Sequence, residues 1–206
     1  HPGKDRQFGA TGTKIVDDCE ICVQAKMARA PVPKEVKEDS PSKAKEPLEI
    51  VSMDLAGPLD PDLHGRRYVM VINDNYTRAN WVYPLKNKSD ALGMFKVFHK
   101  QAITNIGKPI KRVHTDNEVI FNNKEMDKFC CDNGINKTYT VPYTPGQNGI
   151  TERFNRTLFT TARAMRLAAG LPLKYWAYTL EAASHVINRL PTAALKGKSP
   201  YELWYG

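Results

Sequence analysis

The chain has 206 residues, 41% hydrophobic and 25% charged, ordinary proportions that exclude wholesale disorder and suffice for one core domain with a small appendage. Thirty Lys and Arg against 22 Asp and Glu give a formal charge of +8, which points to a polyanionic partner, nucleic acid first, or else to a merely basic surface. No apolar run reaches the roughly 18–20 residues that a spanning helix needs, so no membrane partner is expected. Four cysteines without a secretory signal argue against a disulfide framework, and a start at His1 suggests a fragment or a processed product.

Residues 1–27 are polar and Gly-rich, too poor in apolar residues to fold without a staple such as a metal, and Cys19 and Cys22 could supply half of one. Residues 28–47 carry Pro31, Pro33, Pro41 and Pro47 among alternating charges, the composition of an extended linker. The texture then changes. Leu48 to Leu55 reads as a strand stopped by Gly57-Pro58, and Tyr68–Ile72 and Asn80–Leu85 follow as strands of an antiparallel meander. Ser89 is placed to cap a helix whose apolar residues Leu92, Phe95, Phe98 and Ile103 recur at helical spacing and which stops at Gly107. Ile110–His114 resumes as strand, Lys124–Cys131 reads as a short helix closed by Asn133-Gly134, and Asn136–Val141 is one more strand. Two long helices, about 150–169 and 172–190, and a short one starting at Ser199-Pro200 complete the chain. Three strands followed by alternating helices and strands define an α/β fold, a mixed five-stranded sheet with helices on both faces, the order of ribonuclease H-like folds.

Three acids stand at element ends: Asp54 closing the first strand, Asp116 just past the fourth, and Glu152 near the start of the helix after residue 149. Clustered carboxylates are costly unless cations neutralise them, and two divalent ions about 3.5–4 Å apart are the arrangement that serves phosphodiester chemistry. Taken singly, each acid is an ordinary cap or a solvated charge. At 100° per residue the helix after Gly149 turns Ile150, Phe154, Leu158, Ala162 and Met165 to one side and Glu152, Arg156, Phe159, Arg163 and Arg166 to the other. Three arginines beside an acid suit contact with a phosphate backbone, or equally form a solvated basic face. His64, His99, His114 and His185 show no pairing in sequence and take structural roles. Cys130 and Cys131, Trp176, Trp204 and Phe98 are expected in the core.

Between Asp116 and Glu152 lie 35 residues, the D,D-35-E spacing of retroviral and retrotransposon integrases. Around it, Asp74 to Arg78, Trp81 to Lys86, Thr115-Asp116-Asn117, the run from Tyr143 to Leu158, Ala168 to Ala177, and Ile187 to Gly206 resemble the integrases of copia-type LTR retrotransposons over residues 48–206. That resemblance implies a catalytic core at 48–170 with a helical extension at 171–206. It further implies Asp54, Asp116 and Glu152 as ligands of two Mg²⁺ or Mn²⁺ ions, and 3′-end processing and strand transfer as the activity. Implied partners are double-stranded DNA, further copies of the chain and a host targeting factor, in the nucleus. DNA contacts would come from Gln147, Asn148 and Asn155 along with Arg156 and Arg163. Upstream, His1, Cys19 and Cys22 resemble part of a His-His-Cys-Cys zinc module at 1–27. Where copia-type cores carry two glycines and a glutamate, this chain has Glu118-Val119-Ile120 before Phe121. That departure predicts either backbone strain beside Asp116 or a relaxed path that shifts Asp116 from its metal position, and with it an alternative, a DNA-binding remnant whose catalysis has decayed.

Overall fold

The computed structural model describes residues 44–116, 118–139 and 149–206 together with Ile21, and of 149–151 only the backbone. Five strands, β1 (Ile50–Ala56), β2 (Tyr68–Asp74), β3 (Asn80–Leu85), β4 (Arg112–Thr115) and β5 (Asn136–Tyr139), form one sheet in the order β3-β2-β1-β4-β5. The first three pair antiparallel as a meander, whereas β4 and β5 run parallel to β1. Among the described residues the sheet is flanked by α1 (Ala91–Ile106), α2 (Lys124–Asp132), α3 (Gly149–Ala168), α4 (Trp176–Arg189) and α5 (Pro200–Tyr205).

Alternation along each strand builds two cores, because successive side chains leave opposite faces of a sheet. Val51, Met53 and Leu55 of β1 and Met70 and Ile72 of β2 join Phe95 and Phe98 of α1 and Met126 and Cys130 of α2. On the other face Val69 and Val71 meet Leu158 and Ala162 of α3 and Trp176, Ala177, Leu180 and Ala183 of α4. Each fully buried side chain of this size contributes about 1.5–3 kcal/mol, so both layers hold the sheet. Ser52 and Asp54, which alternate with the first set on β1, therefore face α3.

The remaining locks are local. Gly107 ends α1 in the left-handed region at φ 71°, as a C-terminal glycine does. The turn before α1 begins at Lys88 and is capped by Asn87, whose N–H donates to Asp90 Oδ2 (3.0 Å), two residues earlier than the Ser89 cap read from sequence. Ser199 and Glu202 cap α5 reciprocally. Asn188 of α4 fastens the edge strand β3, its Oδ1 accepting from Asn80 N (2.9 Å) and its Nδ2 donating to Asn80 O (2.8 Å). Trp81 and Trp204 meet edge to face with ring centres 4.6 Å apart. Cys130 is buried but Cys131 is exposed, against the expectation of a buried pair, because neighbouring positions on α2 point about 100° apart. No described helix is long and apolar enough to cross a membrane.

Candidate active site

The parallel pairing of β1 with β4 decides the site. Ser52 stands opposite His114 and Met53 opposite Thr115, so the next step along both strands brings Asp54 beside Asp116. The two acids, 62 positions apart in sequence, share the carboxyl ends of neighbouring strands in the middle of the sheet. Ligands of open α/β sheets gather at such ends.

Asp54 is half-buried and carries two hydrogen bonds, Oδ1 from Leu55 N (3.0 Å) and Oδ2 from Nδ2 of Asn155 on α3. Burial is the largest influence and pushes its carboxyl above the usual range; those two donors oppose the shift, while the charges of Glu118 and Glu152 add to it. Asp116 is likewise raised, by burial first and then by the charges of Glu118 and Asp54, against the opposing Glu118 N–H and Lys88. Its Oδ1 accepts from Glu118 N at 3.2 Å. Glu118 thus adds its charge to both acids and Glu152 to Asp54, and Lys88 stands 3.3 Å from Glu118 Oε2.

Glu152 is exposed in the first turn of α3. All-oxygen donors suit a hard cation such as Mg²⁺ or Mn²⁺, and the mutual repulsion of Asp54 and Asp116 is what a bound cation would relieve. Among the described residues, however, no three such side chains converge to ligand separation. The donor chemistry and the central acid pair fit a divalent ion, and the third arm stands apart from them.

The other expected positions separate. Arg156 and Arg163 are exposed on α3, whereas Arg166 is half-buried and donates from Nη1 to Leu171 O (2.8 Å), closing the turn after the helix. Phe159, placed on the polar side by the helical wheel, packs partly against the second core. Asn155 points at Asp54, a contact that helical periodicity could not foresee because its partner lies 101 positions away. His114 shares Asp54's sheet face and lies 3.2 Å from Thr138 Oγ1; burial, then the Arg112 charge, lower its pKa, so the ring is neutral near pH 7. His1, Cys19, Cys22, Asn117, Gln147 and Asn148 lie outside the described residues.

The strain expected at Glu118-Val119-Ile120 is not found. Among the described residues only Leu48, Arg78 and Lys196 are non-glycines with positive φ. The segment is an ordinary turn in which Phe121 N donates to Glu118 O (3.0 Å). Glycine is not required on this path, and Val119 points outward, 82% exposed.

A mixed five-stranded sheet flanked by helices matches integrase catalytic core structures, and the family model described as "Integrase core domain" matches residues 44–145. The chain belongs to this retroviral-type integrase family, in the copia-type branch carried by LTR retrotransposons. It is 32% identical over 196 residues, 95% of its length, to the Retrovirus-related Pol polyprotein from transposon TNT 1-94 of Nicotiana tabacum. It is 29% identical over 163 and 188 residues to the corresponding polyproteins from transposons RE2 and RE1 of Arabidopsis thaliana, or 79% and 91% of the chain. It spans only 14%, 11% and 12% of those relatives. Among solved structures, the simian T-cell lymphotropic virus intasome in complex with PP2A regulatory subunit B56 gamma superposes with TM-score 0.64 at 20% identity, over 93% of this chain and 64% of that one. The HTLV-2 integrase catalytic core domain, in complex with magnesium, gives 0.58 at 21% identity, over 78% of this chain and 98% of that one. At these identities the likeness is one of fold.

Proposed function

We propose that the chain is the catalytic part of a retrotransposon integrase, a polynucleotidyl transferase that trims the 3′ ends of element DNA and joins them to target DNA. The observation that carries this reading is the side-by-side placement of Asp54 and Asp116 on parallel strand ends, with the charge of Glu152 reaching Asp54 from α3. Divalent ions, when bound, supply activation of the attacking oxygen and stabilisation of the leaving oxygen. This chain's own residues do the holding: Leu55 N–H and Asn155 orient the Asp54 carboxylate, and Lys88 offsets part of the acidic charge. Glu152 would complete the ligand set from the helix.

DNA is the proposed substrate, met along the exposed Arg156 and Arg163 and by Gln147 and Asn148. Further copies of the chain and a host targeting factor are proposed partners, and the nucleus the place of action. Cys19 and Cys22, with His1, are proposed zinc ligands of the intact upstream module. The rival reading is a DNA-binding remnant whose catalysis has decayed; with no left-handed strain in the turn at Glu118, its route would be a displaced Asp116, and the assay below separates the two.

A strand-transfer assay with the element's own end sequences and Mg²⁺ or Mn²⁺ tests the reading. Activity is expected in the wild type and none in Asp54→Asn, Asp116→Asn or Glu152→Gln, each still folded. Near-wild-type turnover in any of the three would overturn the assignment.

A further inference from the structure

The two carboxylates at the strand ends are not held alike. Asp54 takes hydrogen bonds from two donors, whereas among the described residues Asp116 takes one, from Glu118 N at 3.2 Å. Asp116 lies one residue past the last rung of β4. Whatever fixes the backbone of Glu118 therefore fixes the direction of the Asp116 carboxylate. That backbone opens a turn in which each carbonyl from Glu118 to Phe121 has a donor. Glu118 O accepts from Phe121 N (3.0 Å) and Asn122 N (3.1 Å), and Val119 O from Asn122 N (3.1 Å). Ile120 O accepts from Nδ2 of Asn123 (2.7 Å), whose Oδ1 caps α2 by accepting from Met126 N (2.9 Å). The last carbonyl, Phe121 O, is reached from outside the turn, by Nζ of Lys137 on β5 at 3.1 Å. Two residues further along β5, the Tyr139 hydroxyl donates to Asn122 Oδ1 (3.0 Å).

Lys137 is an unusual residue for its place. It stands opposite Val113 in register, so its side chain leaves the sheet on the face of the first core, and only 10% of it is exposed. Taking an ammonium that far out of water is costly, and a buried ion pair can often be replaced by apolar residues of similar size without loss of stability. Packing alone would accept a methionine there. What methionine lacks is a donor. Lys137 Nζ pairs with Asp127 of α2, lies 5.1 Å from the centre of the Tyr139 ring and still reaches Phe121 O. The Asp127 side chain is 56% exposed and can be solvated without its lysine. The partner that depends on Lys137 is the carbonyl of the turn, and Phe121 itself is anchored by a buried ring.

We propose that Lys137 and Tyr139 are positioning residues for the carboxylate site: from β5 they hold the turn at 118–122, and through the Glu118 N–H they set the direction of Asp116. Their hold on the turn follows from the hydrogen bonds alone; its bearing on catalysis rests on the function proposed above. Neither side chain bonds to Asp54 or Asp116, so both act through the turn and take no part in the bond exchange. A carboxylate that turns away presents its oxygens wrongly to a divalent ion, and small displacements at a reacting centre cost rate steeply.

Lys137→Met and Tyr139→Phe each remove one donor to the turn and keep the bulk of the side chain, so both should melt close to the wild type. By NMR hydrogen exchange, the Glu118 amide, bonded to Asp116 Oδ1 in the wild type, should exchange several-fold faster in each variant, more so in Lys137→Met, while the amides of β2 keep their rates. Added Mg²⁺ should raise the melting temperature less than it does for the wild type. In the strand-transfer assay kcat should fall about tenfold for Lys137→Met, with KM for DNA unchanged. Unchanged Glu118 exchange in both variants would overturn the proposal. So would faster exchange with a Mg²⁺ response equal to the wild type's, which would leave the two residues a structural tie between α2 and β5. Should Lys137→Met not fold, Tyr139→Phe carries the same tests. If the wild type transfers no strand, yet the variants still change the Glu118 exchange and the Mg²⁺ response, the positioning stands and the function proposed above falls.

Discussion

Truncating Asn155 to Ala probes directly how Asp54 is held. The Asp54 carboxylate sits half-buried with two donors, Leu55 N–H and Asn155 Nδ2. A hydrogen bond to a charged group contributes about 1.5–3 kcal/mol, against roughly 1 kcal/mol for a neutral pair. In the opposite direction, Asn155 Oδ1 is buried without a partner among the described residues, a burden of about 1–3 kcal/mol that truncation removes. The single change should therefore cost less than the bond itself. A double-mutant cycle with Asp54→Ala isolates the bond, with an expected coupling of about 1.5–3 kcal/mol near neutral pH. The sign with pH follows from Asp54's raised pKa. Its contribution to stability is fully present below the ordinary carboxylate pKa and is lost as pH rises through the folded-state value. Asn155 opposes that loss by stabilising the ionised form, so the coupling should shrink as Asp54 protonates in acid. Urea unfolding of the four proteins in mildly acidic and neutral buffer measures both quantities. A coupling within about 0.5 kcal/mol of zero near neutral pH, or one that grows in acid, would refute the reasoning.

Asp116→Asn should make the metal-free protein more stable at neutral pH, because burial and the charges of Glu118 and Asp54 raise the folded pKa and the wild type loses that contribution as pH rises through it. Thermal melts across the acid-to-neutral range would show the variant's curve flatter, and a fall in stability would contradict the repulsion. Added Mg²⁺ should raise the wild-type melting temperature and leave that of the Asp54→Asn, Asp116→Asn double variant unchanged; an equal rise in both would place the binding elsewhere. Arg156→Ala or Arg163→Ala should weaken binding to unrelated DNA sequences alike and reduce the salt slope by about one unit, and an unchanged slope returns them to the solvated surface. Gly57→Ala should cost about 1–3 kcal/mol in denaturant unfolding, since Gly57 sits at φ 129° and a Cβ there would meet Arg67 O at 2.6 Å; a cost under about 0.5 kcal/mol would mean the turn re-forms.

Much of the architecture was legible from local pattern. The β-rich run from Asn80 to Leu85 is β3 to the residue, and the Leu92, Phe95, Phe98 spacing with Gly107 behind it gives α1 its face and its end. These signals are local: a strand's period of two and a helix's of 3.6 are written in consecutive side chains. Motif resemblance did the same for family membership, because the runs around Trp81, Asp116 and Glu152 are themselves contiguous.

What the sequence by itself determined was the set of elements, their class and the identity of the three acids as candidates. Only the tertiary structure decided which of them meet. The adjacency of Asp54 and Asp116 comes from parallel pairing of strands that are distant in sequence, and such pairing has no local signature, because its hydrogen bonds join backbones whatever their side chains. The same holds for Asn155 turning to Asp54 and for Glu118 joining the acids. Each follows from how α3 and the strand ends come to lie together. Packing sets those positions, and it sums many weak non-directional contacts over the whole fold.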